Sequence, residues 1–510
     1  MLSKVLSASV IGIEAFGVEV EVDISSRGLP HFSMVGLPDA AVKESRDRVR
    51  AALKNIGFNF PLKQITVNLA PADLKKEGSA FDLPIAIGII ASEGLIEPGT
   101  MSGYLFTGEL SLDGRIKPVR GALSMALMVR DSGLKGLVLP VENAPEAAVV
   151  EGVRVFGLRS LPEVVDFLRD ANLCQPYVID VSETIGANSL YEEDFCDVKG
   201  QEHAKRALEV SAAGGHNVLM IGPPGSGKTM LSRRLATILP NMTFDEALET
   251  TRIHSVAGLL KDDQPLLATR PFRSPHHTIS DVALIGGGQT PRPGEVSLAH
   301  NGVLFLDEIP EFKRNVLEVL RQPLENGAVT VSRAVASITY PASFMLVSAM
   351  NPCPCGYLYD PSHQCTCAPG QIYRYRRRVS GPLLDRIDIH IEVPAVPYKE
   401  LSTDYAGEKS EEIRRRVVRG RNVQLARFKG DKIYCNGQMK TRHIRKYCRL
   451  TGDAQALLDT AMQKLGLSAR AYARILKLSR TIADLEPREE IMAYHVSEAI
   501  QYRTLDRGQY

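Results

Sequence analysis

The sequence predicts an α/β protein: a core of buried parallel strands and helices, an α+β segment ahead of it, and a helical segment behind. Three observations predict this. Between residues 195 and 395 the short apolar runs NVLMIG, GVLFLDE and SFMLVSAMN alternate with helical patterns and end at turn residues, as strands buried on both faces do. From 396 to 510 the pattern is almost wholly helical, with basic residues crowding its first half. Up to residue 170, strand and helix patterns mix without strict alternation, which marks a separate α+β domain.

The first segment, 1–170, opens with alternating runs, GVEVEVDIS and then HFSMVGL. A helix follows through AAVKESRDRVRAALKNIG, with Asp39 as N-cap and Gly57 as its stop. Then come a strand KQITVNLAP, an apolar helix DLPIAIGIIASEGLI, the run LFTGELSLDGRIKPV, a helix GALSMALMVRDSG and a strand GLVLP. Residues 171–194 are polar and weakly periodic, and read as a linker.

Bulk properties bound the rest. At 510 residues the chain exceeds one hydrophobic core. Its net charge is only +2, so any basic surface for nucleic acid has to be local. No apolar stretch is long enough to span a bilayer, which predicts no membrane partner. Glu14, Glu19, Glu21 and Asp23 come too early for a secretory signal, so a cytoplasmic protein is expected. In that compartment clustered cysteines point to metal or redox roles before disulfides.

The strongest local signal is GPPGSGKT: Gly222, Pro223, Pro224, Gly225, Ser226, Gly227, Lys228 and Thr229, with Met230 opening the following helix. It stands between the strand NVLMI and the helix MLSRRLATIL, the setting that G-x-x-x-x-G-K-T requires. Backbone N–H groups and the helix N-terminus cradle phosphate oxygens there. Lys228 brings a point charge to the β- and γ-phosphates, and Thr229 offers a hydroxyl to Mg²⁺. Downstream, VLFLDE delivers Asp307 to the Mg²⁺ shell and Glu308 to the attacking water. The strand SFMLVSAM ends in Asn351, a polar amide suited to positioning that water. In GPLLDRIDIHIEV, Arg386 has two readings: a partner of Asp385 or Asp388 within the chain, or an arginine finger reaching a neighbouring subunit.

After Asn351 come Cys353, Cys355, Cys365 and Cys367, two pairs of thiols across a short loop. Four such thiols suit a tetrahedral structural Zn²⁺. Against it, the pairs are C-x-C and one intervening residue strains closure on one ion, so unliganded cysteines stay open, as does His363 in place of one thiol. The run 373–378, YRYRRR, interleaves aromatics with Arg374, Arg376 and Arg377, a combination that stacks on bases and pairs phosphates when it is not simply a solvated charge run.

Together, GPPGSGKT, FRSPHHTISDVALIGGG, GEVSLAHNGVLFLDEI, VLEVLRQPLENG, SAMNPCPCG, SGPLLDRIDIH and LSARAYARILKLSRTIADLE resemble the bacterial ComM family, also described as YifB-like magnesium-chelatase-type ATPases. The resemblance covers essentially the whole chain. It implies an AAA+ P-loop core with a helical lid, a homo-hexameric ring, and binding of single-stranded, double-stranded and branched DNA. It further implies an ATP-driven branch-migration helicase that extends heteroduplex during natural transformation, working beside a recombinase filament. It gives Asn351 the sensor-1 role, Arg386 the finger, and Arg470 the sensor-2 role, with Arg474 as the fallback. In the related MCM helicases a hairpin before sensor 1 grips DNA in the ring pore, and GAVTVSRAVASITYP places Arg333 near such a turn.

The first segment resembles the Lon-protease-like domain, with Ser79 near the nucleophile position. Ser124 stands where the proteases carry their lysine, so a proteolytically inactive scaffold is expected. Two rivals share the ATPase chemistry: a magnesium-chelatase motor subunit and a DNA-independent, chaperone-like ATPase. The N-terminal segment is expected to separate the chain from the chelatase subunit.

Overall fold

The computed structural model describes residues 2–26, 29–97, 99–180, 193–261, 264–288, 291–332, 337–358, 360, 363–396, 407–431 and 433–503. Two compact units divide the chain: Met1–Asn188 with Phe244–Ala268, and Ser189–Thr243 with Thr269–Tyr510.

The first unit is built on a seven-stranded sheet. Its strands are β1 (Leu2–Ile11), β2 (Glu14–Ser25), β3 (His31–Val35), β4 (Gln64–Ala70), β5 (Tyr104–Phe106), β6 (Gly136–Pro140) and β7 (Val155–Leu158), in the order β3-β4-β2-β1-β5-β6-β7. β1, β2 and β4 pair antiparallel, and β5, β6 and β7 run parallel. The alternation of GVEVEVDIS works as expected: Val18, Val20, Val22 and Ile24 go inward, and Glu19 and Glu21 pair outside with Lys4. Asp39 caps α1 (Ala40–Asn55), its carboxylate accepting from the Val42 N–H at 2.8 Å, and Gly57 follows the helix end with φ 86°.

Every residue of α2 (Asp82–Ser92) is buried, including an acid. Asp82 is tolerated because Arg48 donates to it at 2.6 and 3.0 Å and Ser45 adds a hydroxyl. Burial still pushes its carboxyl above the usual range, against the pull of Arg48. The helix Phe244–Ala257 packs in this unit, although the sequence reading placed it within 195–395. The reason is specific: Arg252 pairs with Glu14 at 2.5 Å, and Ser255 donates to the buried Glu146.

The second unit carries a five-stranded, all-parallel sheet: β8 (Val218–Ile221), β9 (Phe272–Arg273), β10 (Val303–Leu306), β11 (Met345–Met350) and β12 (Ile389–Glu392), in the order β9-β10-β11-β8-β12. The predicted strands are β8, β10 and β11, and they are buried throughout because helices cover both faces. The helical segment contributes α3 (Ser410–Arg427), α4 (Gly452–Leu465), α5 (Ala469–Leu485) and α6 (Ala493–Gln501). It is no separate body: Ile413, Val417, Leu458, Ile475, Ile482 and Val496 share one apolar core with Val218, Phe305, Val347 and Ile389. Much of its basic character is spent inside the chain. Arg414 donates to the Thr237 carbonyl at 2.6 Å, Arg416 pairs with Glu209 and Glu408, and Arg421 donates to the Ala212 and Ala213 carbonyls at 2.9 and 3.0 Å. The predicted hairpin is present as Ala328–Ser332 paired with Ser337–Pro341, while Arg333 lies outside the described residues. Among the described residues no helix is long and apolar enough to cross a membrane.

Candidate functional site

In a parallel sheet ligands collect at the carboxyl ends of the strands where the order switches direction. Here β8 lies between β11 and β12, and β11 lies between β10 and β8. Ile221 pairs with Met350 and Leu306 with Ser348, so Gly222, Asp307 and Asn351 leave the sheet side by side. The backbone is crowded at Gly222, where a Cβ would meet the Val393 carbonyl oxygen at 2.0 Å, so only glycine fits. The loop through Pro223, Pro224, Gly225 and Ser226 ends at Gly227, and the helix Lys228–Ile238 starts there, Met230 in its first turn packing on the core.

Within that frame the predicted residues converge. Lys228 Nζ donates to the Gly222 and Pro223 carbonyls, both at 2.8 Å, and lies 3.4 Å from Asn351 Oδ1. Burial pushes its ammonium below the usual lysine range, against the opposing pull of Asp307 and Glu308. Thr229 Oγ1 donates to Asp307 Oδ2 at 2.8 Å, which puts both expected Mg²⁺ ligands on one spot. Glu308 is exposed and takes a left-handed conformation, φ 50° and ψ 48°, which costs a non-glycine residue on the order of 1 kcal/mol. Gln201 was not foreseen. Its side-chain amide donates to the Ser226 carbonyl at 2.6 Å and the Pro394 carbonyl at 3.2 Å, bracing the loop. The available signal was a Gly-Gln pair immediately before a helix.

The arginines divide differently from expectation. The intrachain partner of Arg386 is neither Asp385 nor Asp388 but Glu325, with the Pro382 carbonyl as a second acceptor. Asp385 instead takes Arg470 at 2.6 Å, both side chains being well exposed. Asp388 takes Arg474 and His216. Although burial opposes its charge, Arg474 and His216 hold Asp388 well below the usual carboxylate range.

The four cysteines do converge. All four sulfurs lie within 4.8 Å of one another. Cys353 is 3.3 Å from Cys355 and 3.7 Å from Cys365, and Cys355 is 3.6 Å from Cys365. A tetrahedral Zn–S₄ site with bonds of about 2.3 Å has S···S edges of about 3.8 Å, so these separations suit one ion. The C-x-C objection yields to a turn at Gly356, whose N–H bonds back to the Cys353 carbonyl at 3.0 Å. Backbone N–H groups of Tyr357 and Thr366 lower the Cys355 thiol to about 6, while burial pushes Cys353 up to about 12. His363 is not in that group of ligand atoms; its ring lies against Tyr357, centroids 4.7 Å apart. In the basic run, Tyr375 is buried and unavailable to a base, and Arg376 donates to the Pro352 carbonyl at 3.0 Å. Arg374 and Arg377 are exposed, and Arg377 lies over the exposed Tyr373 ring at 5.2 Å.

Comparison with known proteins places this arrangement. The family described as magnesium chelatase, subunit ChlI, matches residues 194–401, and its C-terminal family matches 407–503. Competence protein ComM of Haemophilus influenzae is 46% identical over 99% of this chain and 98% of its own length. YifB of Escherichia coli K12, described as uncharacterized, is 44% identical over 99% and 98%. The chain belongs to the ComM/YifB family. Its core is therefore a magnesium-chelatase-type AAA+ domain, and that family implies ATPase chemistry. The magnesium-chelatase 38 kDa subunit of Rhodobacter capsulatus is a partial relative, 29% identical over 31% of this ComM/YifB chain and 50% of its own length. A family described as subunit ChlI of Mg-chelatase also matches residues 20–143. The N-terminal segment therefore does not by itself separate the ComM/YifB chain from chelatase subunits; end-to-end coverage does.

Proposed function

We propose that the chain is an ATP-driven motor that forms a hexameric ring on DNA and drives branch migration, extending heteroduplex during recombination in natural transformation. The observation that carries this reading is end-to-end similarity to a competence protein, joined to the meeting of Lys228 with Asn351 and of Thr229 with Asp307 at the carboxyl ends of the central strands. Those side chains fit ATP. Lys228 already sits among carbonyl acceptors that a phosphate would replace, and the loop N–H groups open a helix N-terminus. Thr229 and Asp307 would hold Mg²⁺, which supplies charge neutralisation on the phosphates. Glu308 takes the proton of the attacking water, and Asn351 holds that water beside Lys228. Arg386 and Arg470 serve neighbouring phosphates as finger and sensor, Arg474 being occupied by the buried Asp388.

Arg333, Arg374, Arg376 and Arg377 are the proposed DNA contacts, with single-stranded, double-stranded and branched DNA as partners. The four thiols hold one structural zinc ion. The N-terminal unit is a Lon-like scaffold without protease activity: Ser124, at the position of the protease lysine, is buried and donates to the Ile13 carbonyl at 2.6 Å.

The test is ATPase rate with and without four-way DNA, beside a branch-migration assay. DNA should stimulate hydrolysis, and binding should weaken steeply as salt rises because phosphate contacts release counterions. ATPase that ignores DNA, with no salt-sensitive binding, removes the DNA assignment and favours a chelatase-type or chaperone-like motor.

A further inference from the structure

The loop that carries the four thiols leans on the phosphate loop. Gly356 takes φ 87°, and its Cα faces the Pro224 ring: a Cβ there would lie 2.6 Å from Cδ and 2.8 Å from Cγ. The same loop is joined covalently to the site. Cys353 lies two residues after Asn351, whose side-chain oxygen is 3.4 Å from Lys228 Nζ, and it is fully buried. Arg376 holds the intervening Pro352 carbonyl at 3.0 Å. The cysteine loop therefore touches the nucleotide-binding residues twice, once through the chain at 351–353 and once by packing of Gly356 on Pro224. Its described residues contain no helix or strand, so it lacks the apolar core that would hold this shape alone.

We infer that a zinc ion on Cys353, Cys355, Cys365 and Cys367 braces the phosphate loop, so that zinc and ATP bind cooperatively. The inference rests on the zinc reading proposed above. Four sulfurs brought within 4.8 Å of one another have no bond of their own to hold them there, and an ion among them would supply four. With the sulfurs fixed, Gly356 stays against Pro224 and Asn351 stays beside Lys228. Without the ion the loop populates other arrangements, and ATP affinity falls by the fraction of chains still holding the competent one. Linkage requires the converse: bound nucleotide tightens zinc by the same factor.

The test uses the full chain, loaded with zinc, stripped by chelator, and reloaded. Zinc content is measured first, then the Kd for a non-hydrolysable ATP analogue. Stripping should raise that Kd about tenfold, within the usual range of coupling between sites, and reloading should restore it. Zinc affinity, read by competition with a chromophoric chelator, should tighten about tenfold when the analogue is present. Gly356→Ala leaves all four thiols in place yet pushes the Pro224 ring away, so it should keep one zinc per chain and lose the coupling. Pro224→Ala, which removes the ring and adds no strain at Gly356, should also keep zinc and bring the coupling below about twofold. A chain that takes up no zinc overturns the zinc reading before any nucleotide is added. Stoichiometric zinc with equal analogue affinity in loaded and stripped protein overturns the brace and leaves the zinc site standing.

Discussion

At the residue scale the hydrolytic chemistry proposed above turns on Glu308. The side chain is exposed, its backbone is held in a left-handed turn, and Asp307 Oδ1 accepts its N–H at 3.0 Å. The neighbouring acid thus holds the Glu308 backbone in that turn, while its other oxygen accepts from Thr229. Glu308→Gln keeps that shape and removes the base. Turnover should fall by about 10²- to 10⁴-fold, the usual contribution of a positioned base, with analogue Kd unchanged. Steady-state ATPase and equilibrium nucleotide binding read the two quantities separately, and undiminished turnover would move the base to another group.

At the element scale the helical segment is fastened by a buried ion cluster. Asp484 on α5 accepts from Arg427 at the end of α3 at 2.7 Å, from Arg480 at 3.0 Å and from Asn436 at 2.8 Å. Asp484 is fully shielded, and so is nearly all of Arg480. Asp484→Ala leaves two arginines without their counter-ion, a change worth about 3–5 kcal/mol when the cluster is buried. A denaturant midpoint should shift accordingly, and a wild-type midpoint would mean that water replaces the carboxylate. These partners explain why the sequence misleads here. Arg414, Arg416 and Arg427 stand in the sequence only as a crowd of basic residues because their acceptors, the Thr237 carbonyl, Glu209 and Asp484, lie far away along the chain. The strands β8, β10 and β11 were legible because burial on both faces leaves an unbroken apolar run. β9 is only two residues long and exists because β10 offers it an edge, which no local pattern records. The helix Phe244–Ala257 was similarly opaque: its contacts with Glu14 and Glu146 are what place it in the first unit. In the candidate site, the meeting of Lys228 and Thr229 with Asn351 and Asp307 was legible because the G-x-x-x-x-G-K-T loop opens a helix beside the ends of the strands that deliver the other two. Gln201 was not, since an amide that braces a loop through backbone carbonyls leaves no mark beyond one polar residue before a helix.

At the scale of the whole molecule the question is whether one chain completes its own active site. Lys228 and Asn351 meet within the chain, but Arg386 does not join them; its guanidinium is taken by Glu325 and the Pro382 carbonyl. Among the described residues its buried Nε has no hydrogen-bond partner, so the guanidinium is only partly satisfied there. An arginine whose charge is paired with an exposed glutamate can exchange that partner for a phosphate on a neighbour, which is the finger role proposed for it. Arg386→Ala and Asp307→Asn should each abolish turnover alone, one by removing the finger and the other by removing the metal ligand. In a one-to-one mixture, head-to-tail interfaces join an intact phosphate loop to an intact finger in about a quarter of cases, so ATPase should recover toward about a quarter of wild type. Recovery should follow the mixing ratio, peaking at equal amounts. If assembled mixed rings stay inactive at every ratio, Arg386 serves the chain that carries it, and the Glu325 pairing is its working state.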